Sequence, residues 1–248
     1  MENIKNINIS EYKNLEMIQE SCKGYVMKGL NKSGEIVLLK SFFKTKANLY
    51  SFINDSHFNK LIPKELFYLC RLTGKPFVPK LLEYHDEVDL ATVVMEYLDK
   101  DWSDLLNFML EFNDEDLIKI VMKNVILVMY EMAKMGFYHC DIKPENIMVN
   151  HITLEVKFID LEDLCFNRSP NPLNIGPKTG TMGYKSPESY PNKSFELLPA
   201  LVFNIGCVLY VCHELKLAYT SIPEGFECES FQMTLTSKPA ESLIRLCN

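Results

Sequence analysis

The chain has 248 residues, of which 47% are hydrophobic and 24% charged. This composition is ordinary for a globular protein with a core, and it argues against a disordered chain. The formal net charge of −7 gives no sign of an overall basic surface, so we expect no nucleic-acid partner. The N-terminal residues are polar and lack the apolar segment of a secretory signal. The longest near-apolar stretch, residues 200–212, is too short to cross a bilayer, so no membrane association is expected.

The eight cysteines are widely spaced and form no CxxC pair. A secreted disulfide framework has denser spacing in a smaller chain, so we expect reduced thiols and an intracellular protein of the cytoplasm or nucleus. Cys207, Cys212 and His213 lie close together, but their spacing matches no common zinc motif. Because they lie in an apolar helical segment, we interpret the two cysteines as buried thiols.

The first hundred residues alternate between strand-like segments and one helix. Two apolar segments, 24–29 and 35–40, flank a turn at 31–34 and predict a hairpin. The spacing of apolar residues predicts a helix over 61–72. Segments 80–84 and 90–95 predict two further strands.

Long helices dominate the remainder. An acidic capping sequence at 113–116 predicts the start of a helix that runs to Gly136. Because this helix is apolar on most faces, we expect it to be buried. A second apolar helix is predicted over 199–215. The sequence therefore predicts an α+β fold with a β-rich first part, residues 1–98, and a mainly helical second part, residues 99–248.

The sequence His-Cys-Asp-Ile-Lys-Pro-Glu-Asn at 139–146, followed by an apolar strand, resembles the catalytic loop of protein kinases, H-R-D-x-K-P-x-N. The alternative, a polar turn between a helix and a strand, does not account for so close a match. The resemblance implies that Asp141 accepts the proton of the substrate hydroxyl. It also implies that Lys143 lies near the transferred phosphoryl group and that Asn146 binds Mg²⁺.

Two later segments also resemble kinase motifs, and they follow in the family's order. Asp160, at the end of a strand-like segment, lies where the metal-binding D-F-G aspartate is expected. Residues 180–188, Gly-Thr-Met-Gly-Tyr-Lys-Ser-Pro-Glu, resemble the end of an activation segment, G-T-x-x-Y-x-[AS]-P-E. Lys143 and the Gly-Thr pair are similar to those of the serine/threonine branch.

The ATP site implied by the resemblance includes residues of the first part. Lys40 ends a strand similar to V-A-I-K, whose lysine binds the α- and β-phosphates, and Glu65 is its expected partner. Because such a lysine and Asp160 are expected in a wet cleft between the lobes, replacing either should change stability little. The further residues expected to bind the nucleotide, at the adenine pocket and the hinge, are Val26, Leu38, Glu96, Leu98 and Met148.

The resemblance thus implies a bilobal protein-kinase-like fold without its last helix. It implies a serine/threonine kinase that uses ATP and Mg²⁺ and acts on a protein substrate. The short Asn-, Lys- and Ile-rich sequence resembles virus- or pathogen-encoded kinases, for which the compartment is the host cell.

Several positions depart from the kinase pattern. In the phosphate-binding loop G-x-G-x-x-G-x-V only Gly24 remains, because Gln19 and Ser21 replace the other two glycines. Glu162 replaces the glycine expected as the third residue of the D-F-G motif that begins at Asp160, and it would either stiffen the segment or bring a second carboxylate near the metal. Leu38 replaces a small residue above the adenine.

Three further departures lie in the second part. Cys140 replaces the arginine that pairs with a phosphorylated activation segment. Leu201 replaces an aspartate that supports the catalytic loop. Glu188, expected to be buried, lacks the arginine of the missing helix, so Arg245 or a protein partner covering the shortened lobe would pair with it.

These departures leave an alternative function open, a pseudokinase that acts by binding another protein. Loss of selection for catalysis should not spare Lys40, Asp141, Lys143, Asn146 and Asp160 together, which favours the active enzyme. A small-molecule phosphotransferase is disfavoured by the activation-segment sequence.

Overall fold

The computed structural model describes residues 11–112, 114–167, 180–189 and 195–220. The chain divides into two compact units, residues 1–101 with 157–162 and residues 102–156 with 163–248. The first unit thus includes Asp160 and Glu162, although both follow the catalytic loop in sequence. The boundary predicted between residues 98 and 99 stays a prediction.

An antiparallel sheet forms most of the first unit. Five strands are hydrogen-bonded in the order β1-β2-β3-β7-β6, and β4 and β5 form a separate hairpin that leads into helix α1. The elements are β1 (Lys13–Ser21), β2 (Gly24–Leu30), β3 (Ile36–Phe43), β4 (Phe52–Asp55), β5 (Lys60–Pro63), α1 (Lys64–Arg71), β6 (Leu81–Asp86) and β7 (Leu90–Glu96). The predicted β-rich first part is confirmed.

The hairpin of β2 and β3 follows the prediction. Asn31 accepts hydrogen bonds from the backbone N–H groups of Ser33 and Glu35, and Gly34 has a φ of 79° that favours glycine. On β3, Val37 and Leu39 face a buried cluster that also contains Val94. Because side chains alternate along a strand, Leu38 and Lys40 lie on the opposite face.

Gly24 opens β2 at a point where the sheet leaves no room for a side chain. A Cβ atom at this position would lie 1.8 Å from the carbonyl oxygen of Ser41 on β3. Gly24 pairs with Phe42 and with Ser21, so it lies at the corner of three strands. A glycine is therefore required here by strand packing.

Helix α1 begins three residues later than predicted. Residues 60–63 pair with β4 as a strand, so the apolar Leu61 and Ile62 belong to β5. Pro63 disfavours helical dihedral angles at Ile62 and has an extended ψ of 137° itself. The prediction of a helix from residue 61 was wrong because the apolar spacing continued through this strand.

The described residues from 102 onward form three α-helices and short strands, in agreement with the predicted mainly helical second part. The elements are β8 (Trp102–Asp104), α2 (Leu105–Phe112), α3 (Glu115–Lys134), β9 (Phe137–His139), β10 (Ile147–Asn150), β11 (Val156–Phe158), which continues into the first unit, β12 (Leu164–Phe166) and α4 (Leu197–Glu214). Strands β11, β10 and β8 form one small sheet, and β12 pairs with β9.

Helix α3 has the predicted N-terminus but not the predicted burial. The Asp114 side chain accepts hydrogen bonds from the N–H groups of Asp116 and Leu117 at 2.9 and 3.0 Å. One side of the helix is buried, whereas Leu127 and Tyr130 are 49% and 60% exposed. The expectation of a fully buried helix was wrong, because apolar residues on a helix face do not show whether another part of the chain packs against that face.

Helix α4 is apolar along most of its length. The helix has 18 residues and is therefore longer than the apolar stretch 200–212 judged too short from the sequence; by length and mean hydropathy it could cross a membrane. This is weak evidence, because the core helix of a globular protein passes the same test, and 39% of this helix is buried. Cys207 is fully buried and Cys212 half-buried, and burial raises the pKa of each thiol to about 12. Exposed His213 contacts Glu214.

Candidate active site

The first cluster of predicted site residues lies in the first unit, around the ammonium group of Lys40. Lys40 projects from β3, and its Nζ donates to Glu65 Oε2 at 3.0 Å and to Asp160 Oδ1 at 2.7 Å. Glu65 lies in the first turn of α1, and Asp160 follows β11. The structure therefore brings these three predicted residues into direct contact.

Burial and charge act in opposite directions on this lysine. Burial alone lowers the pKa of Lys40, but the carboxylates of Glu65 and Asp160 outweigh it and raise the pKa above its ordinary value. Glu65 has a side chain only 1% exposed. Burial raises the pKa of Glu65, and the Lys40 ammonium group opposes that rise. Lys40 is therefore charged and compensates the buried carboxylate.

Asp160 is more open than its partner Glu65. Its side chain is 43% exposed, and its φ of 58° lies in the left-handed region, which turns the chain away from the strand direction. A partly exposed carboxylate is the type of oxygen ligand that Mg²⁺ prefers.

Glu162 contacts a lysine and a serine. It is buried, and its Oε1 accepts hydrogen bonds from Lys23 Nζ at 3.1 Å and from Ser51 Oγ at 2.7 Å. Of the two roles considered from the sequence, stiffening the segment fits these contacts. Neither Lys23 nor Ser51 was singled out by a motif, because each is more than one hundred residues from Glu162 in sequence.

The residues predicted to bind adenine lie in both units. Val26 and Leu38 are half-buried on the same sheet face as Lys40, because Val26 pairs directly with Lys40. Glu96 ends β7 and accepts a hydrogen bond from the Lys80 backbone N–H at 2.9 Å. The remaining two are also half-buried, Leu98 in the first unit and Met148 on β10 of the second. Their binding of nucleotide stays a prediction.

The second cluster lies in the second unit, between β9 and β10. Asp141 has a side chain 8% exposed, and its Oδ2 lies 2.9 Å from Lys143 Nζ. The Asn146 amide nitrogen donates to the Asp141 carbonyl oxygen at 2.8 Å and to its carboxylate at 3.2 Å. All three predicted catalytic-loop residues are thus held together.

Thr181 belongs to this cluster although it was not predicted as a site residue. Its hydroxyl donates to Asp141 Oδ1 at 2.6 Å and accepts from Lys143 Nζ at 3.1 Å. The signal was the Gly-Thr pair of the activation-segment motif. Gly180, with a φ of 85°, lies so close to the Cys140 carbonyl that a Cβ would lie 2.8 Å from that oxygen.

Cys140 cannot take the part of the arginine that it replaces. It is half-buried, its Sγ donates to the Tyr138 carbonyl at 3.4 Å, and it also hydrogen-bonds with Cys165. The hydrogen bond with Cys165 and burial raise the pKa of the Cys140 thiol well above its ordinary value. The side chain is therefore neutral at physiological pH.

We therefore expect activity to be independent of phosphorylation between Asp160 and Glu188, of which residues 168–179 lie outside the described part. A neutral thiol offers no cationic fork to a phosphate. Phosphatase treatment followed by a kinetic assay should leave the initial rate unchanged within about twofold, which is a small difference in free energy. A large loss that returns on rephosphorylation of this segment would contradict the expectation.

The expectation that Glu188 is buried changes. Glu188 is half-buried rather than buried, because it lies in a short 3₁₀ turn, residues 187–189, that leaves it accessible to water. Its proposed partner Arg245 lies outside the described residues. Leu201 is buried. One turn later on the same helix, the Asn204 side-chain amide donates a hydrogen bond to the Tyr184 carbonyl oxygen at 2.8 Å.

Comparison with known proteins identifies the family. A model of the protein kinase domain matches residues 9–239. The chain is 26% identical over 227 residues to serine/threonine-protein kinase PSK2 of Saccharomyces cerevisiae, covering 89% of this chain and 20% of that protein. It is 28% identical over 216 residues to serine/threonine-protein kinase cds1 of Schizosaccharomyces pombe, covering 84% and 44% respectively.

A third relative is the mouse citron Rho-interacting kinase, 26% identical over 231 residues that cover 91% of this chain and 10% of the mouse protein. The chain spans less than half the length of each of these three relatives. Because the family model matches nearly the whole sequence, the chain belongs to the protein kinase domain family.

Proposed function

We propose that this chain transfers the γ-phosphate of ATP to serine or threonine residues of protein substrates. The observation that carries the proposal is the contact of Asp141 with Lys143, Asn146 and Thr181. Three polar side chains that meet around one carboxylate have little use in a core, whereas phosphoryl transfer requires a fixed carboxylate beside a cation. The names of the two yeast relatives support the serine/threonine class.

In this proposal Asp141 accepts the proton of the attacking hydroxyl group. Lys143 Nζ and the Thr181 hydroxyl fix the two carboxylate oxygens, so the carboxylate is oriented before substrate arrives. Lys143 also places a positive charge where negative charge develops on the phosphoryl group.

The residues of the chain also fit ATP and Mg²⁺. Lys40 would bind the α- and β-phosphates, and its two carboxylate partners hold it extended. Asp160 would bind Mg²⁺ through its exposed carboxylate, and Asn146 through its carbonyl oxygen, since its amide nitrogen is already bound to Asp141. Bound Mg²⁺ neutralises phosphate charge.

The test is autophosphorylation of the purified chain with radiolabelled Mg-ATP, followed by phosphoamino-acid analysis. We expect label on serine or threonine, and none when EDTA removes the divalent cation. Label on tyrosine alone would contradict the serine/threonine class. A protein substrate set can then be sought with the same labelled nucleotide.

A pseudokinase remains the second candidate, because Gln19 and Ser21 replace phosphate-loop glycines and are exposed on β1. Side chains at these positions keep the backbone farther from phosphates than glycines do. This candidate predicts no transfer by the wild-type chain on any substrate, with partner binding unaffected by replacement of Asp141. The labelling experiment therefore separates the two candidates.

A further inference from the structure

Lys23 lies in the turn of the hairpin that replaces the glycine-rich phosphate loop. Ser21 at the end of β1 pairs with Gly24 at the start of β2, so Cys22 and Lys23 form the turn. The Lys23 side chain is 43% exposed. A cationic side chain therefore lies in the segment where the kinase pattern has glycines that let the backbone approach the phosphates.

Glu162 holds the ammonium group of this lysine. The Lys23 Nζ to Glu162 Oε1 distance is 3.1 Å, and the glutamate side chain is only 9% exposed. Burial lowers the pKa of Lys23, but the Glu162 charge and hydrogen bond outweigh it and raise the pKa. The ring of Tyr50 adds a cation–π contact at 5.1 Å. Lys23 is therefore charged and restrained.

The backbone of the same residue is also held. The Ser51 hydroxyl lies 2.7 Å from Glu162 Oε1 and 2.8 Å from Asn48 Oδ1, and its single proton is shared between these two acceptors. The Asn48 amide nitrogen donates to the carbonyl oxygens of Lys23 and Phe43, each at 2.9 Å. One connected network thus fixes both the main chain and the side chain of Lys23.

The two carboxylates on either side of Leu161 each bind one lysine. Asp160 binds Lys40 of β3, and Glu162 binds Lys23 of the hairpin turn. The two ammonium groups therefore converge on a segment of three residues. An ammonium group has three N–H donors, and the partial exposure of Lys23 leaves donors for a ligand. Two cations bound to the same short segment supply more positive charge for a polyphosphate than one does.

We propose that Lys23 binds the phosphates of ATP where the side chains of Gln19 and Ser21 keep the backbone amides farther away, and that Glu162 positions it. This inference rests on the proposed function, since it requires that the first unit bind a nucleotide. It explains why a glutamate occurs where the kinase pattern has a glycine. Glu162 acts through Lys23 and is a positioning residue rather than a metal ligand.

The test compares binding of ATP, ADP and adenosine to the wild-type chain and to Lys23→Met by calorimetric titration. We expect ATP affinity to fall about tenfold, which is the usual effect of losing one hydrogen bond to a charged group. ADP affinity should fall less, and adenosine affinity should not change. The matched control is Lys32→Met in the turn between β2 and β3, because Lys32 is exposed and pairs with Glu11 at 2.6 Å. This control should bind all three ligands normally.

The positioning role is tested with Glu162→Gln, alone and combined with Lys23→Met. We expect the single change to weaken ATP binding about threefold and the double variant to bind like Lys23→Met alone, because the two residues act as a unit. Equal losses of affinity for ATP and adenosine would contradict the phosphate contact. They would indicate that the Lys23–Glu162 pair only stabilises the fold. Unchanged ATP affinity in Lys23→Met would contradict it as well.

The outcomes for the two proposals remain distinguishable. A wild-type chain that binds ATP with this phosphate dependence but transfers no label contradicts the proposed function and supports the Lys23 contact. If the wild-type chain transfers label while Lys23→Met binds ATP normally, the proposed function is supported and the Lys23 contact is contradicted.

Discussion

Lys40→Met is expected to lower ATP turnover by about 10²- to 10³-fold, which corresponds to about 3–4 kcal/mol of lost transition-state stabilisation. The ammonium group is held at 3.0 Å from Glu65 and 2.7 Å from Asp160, so its position is fixed before the phosphates arrive. Turnover measured at saturating ATP gives the effect on kcat. A variant that keeps more than a tenth of the wild-type rate would show that this lysine has another role.

The same substitution is expected to destabilise the fold, contrary to the expectation from sequence. Glu65 is 1% exposed, so loss of Lys40 leaves a buried carboxylate without its ammonium partner. Breaking such a pair typically costs about 3–5 kcal/mol. The sequence expectation of a wet cleft was wrong for Lys40, because its side chain is only 18% exposed.

The pH dependence of this destabilisation has a definite sign. Without Lys40, burial keeps the pKa of Glu65 above its unfolded value, so the folded state binds the proton more tightly. The stability of Lys40→Met should therefore fall as pH rises from the unfolded pKa, about 4.3, through the raised folded value. Urea unfolding at several pH values measures this slope relative to wild type.

The control for the stability effect is the double variant Lys40→Met with Glu65→Leu. Replacing both partners of a buried pair by apolar groups is often neutral, so this variant should regain most of the stability but none of the turnover. A double variant no more stable than Lys40→Met would mean that the unpaired Glu65 is not the cause.

Asp141→Asn is expected to reduce transfer by about 10²- to 10⁴-fold, the range for loss of a general base. The amide cannot accept the hydroxyl proton, although it can still bond with Thr181 and Asn146. Stability should therefore change little, within about 1 kcal/mol. The rate of label incorporation and the melting temperature of the same protein test both parts.

The matched control is Asp89→Asn, because Asp89 is exposed in the turn between β6 and β7. It makes the same chemical change on the surface and should leave the rate unaltered. A rate for Asp141→Asn equal to that of Asp89→Asn would remove Asp141 from the chemistry.

Much of the first unit could be predicted because its signals are local. The turn at Asn31–Gly34 and the alternation along β3 depend on neighbouring residues, and Lys40 and Asp160 were placed by motif spacing. The β4–β5 hairpin was missed because the apolar residues of β5 continue the helical spacing of α1. A local pattern cannot show which of two elements a shared apolar residue joins.

The contacts of Glu162 could not be predicted for a different reason. Lys23 and Glu162 are 139 residues apart, and Ser51 and Glu162 are 111 residues apart. A single sequence gives no information on such pairs when neither residue belongs to a recognised motif. For Thr181, the activation-segment motif that contains it was recognised from the sequence, but its contact with Asp141 was not predicted.

The close approach of Gly24 to β3 limits which substitutions this position can accept during evolution. Any side chain at this position would collide with the Ser41 carbonyl, so the glycine is retained by the sheet whether or not nucleotide binds. A descendant that had lost phosphoryl transfer would still keep Gly24, whereas Lys23 and Glu162 would be free to change. In relatives of this chain, the lysine–glutamate pair rather than the glycine should therefore mark the members that still use ATP.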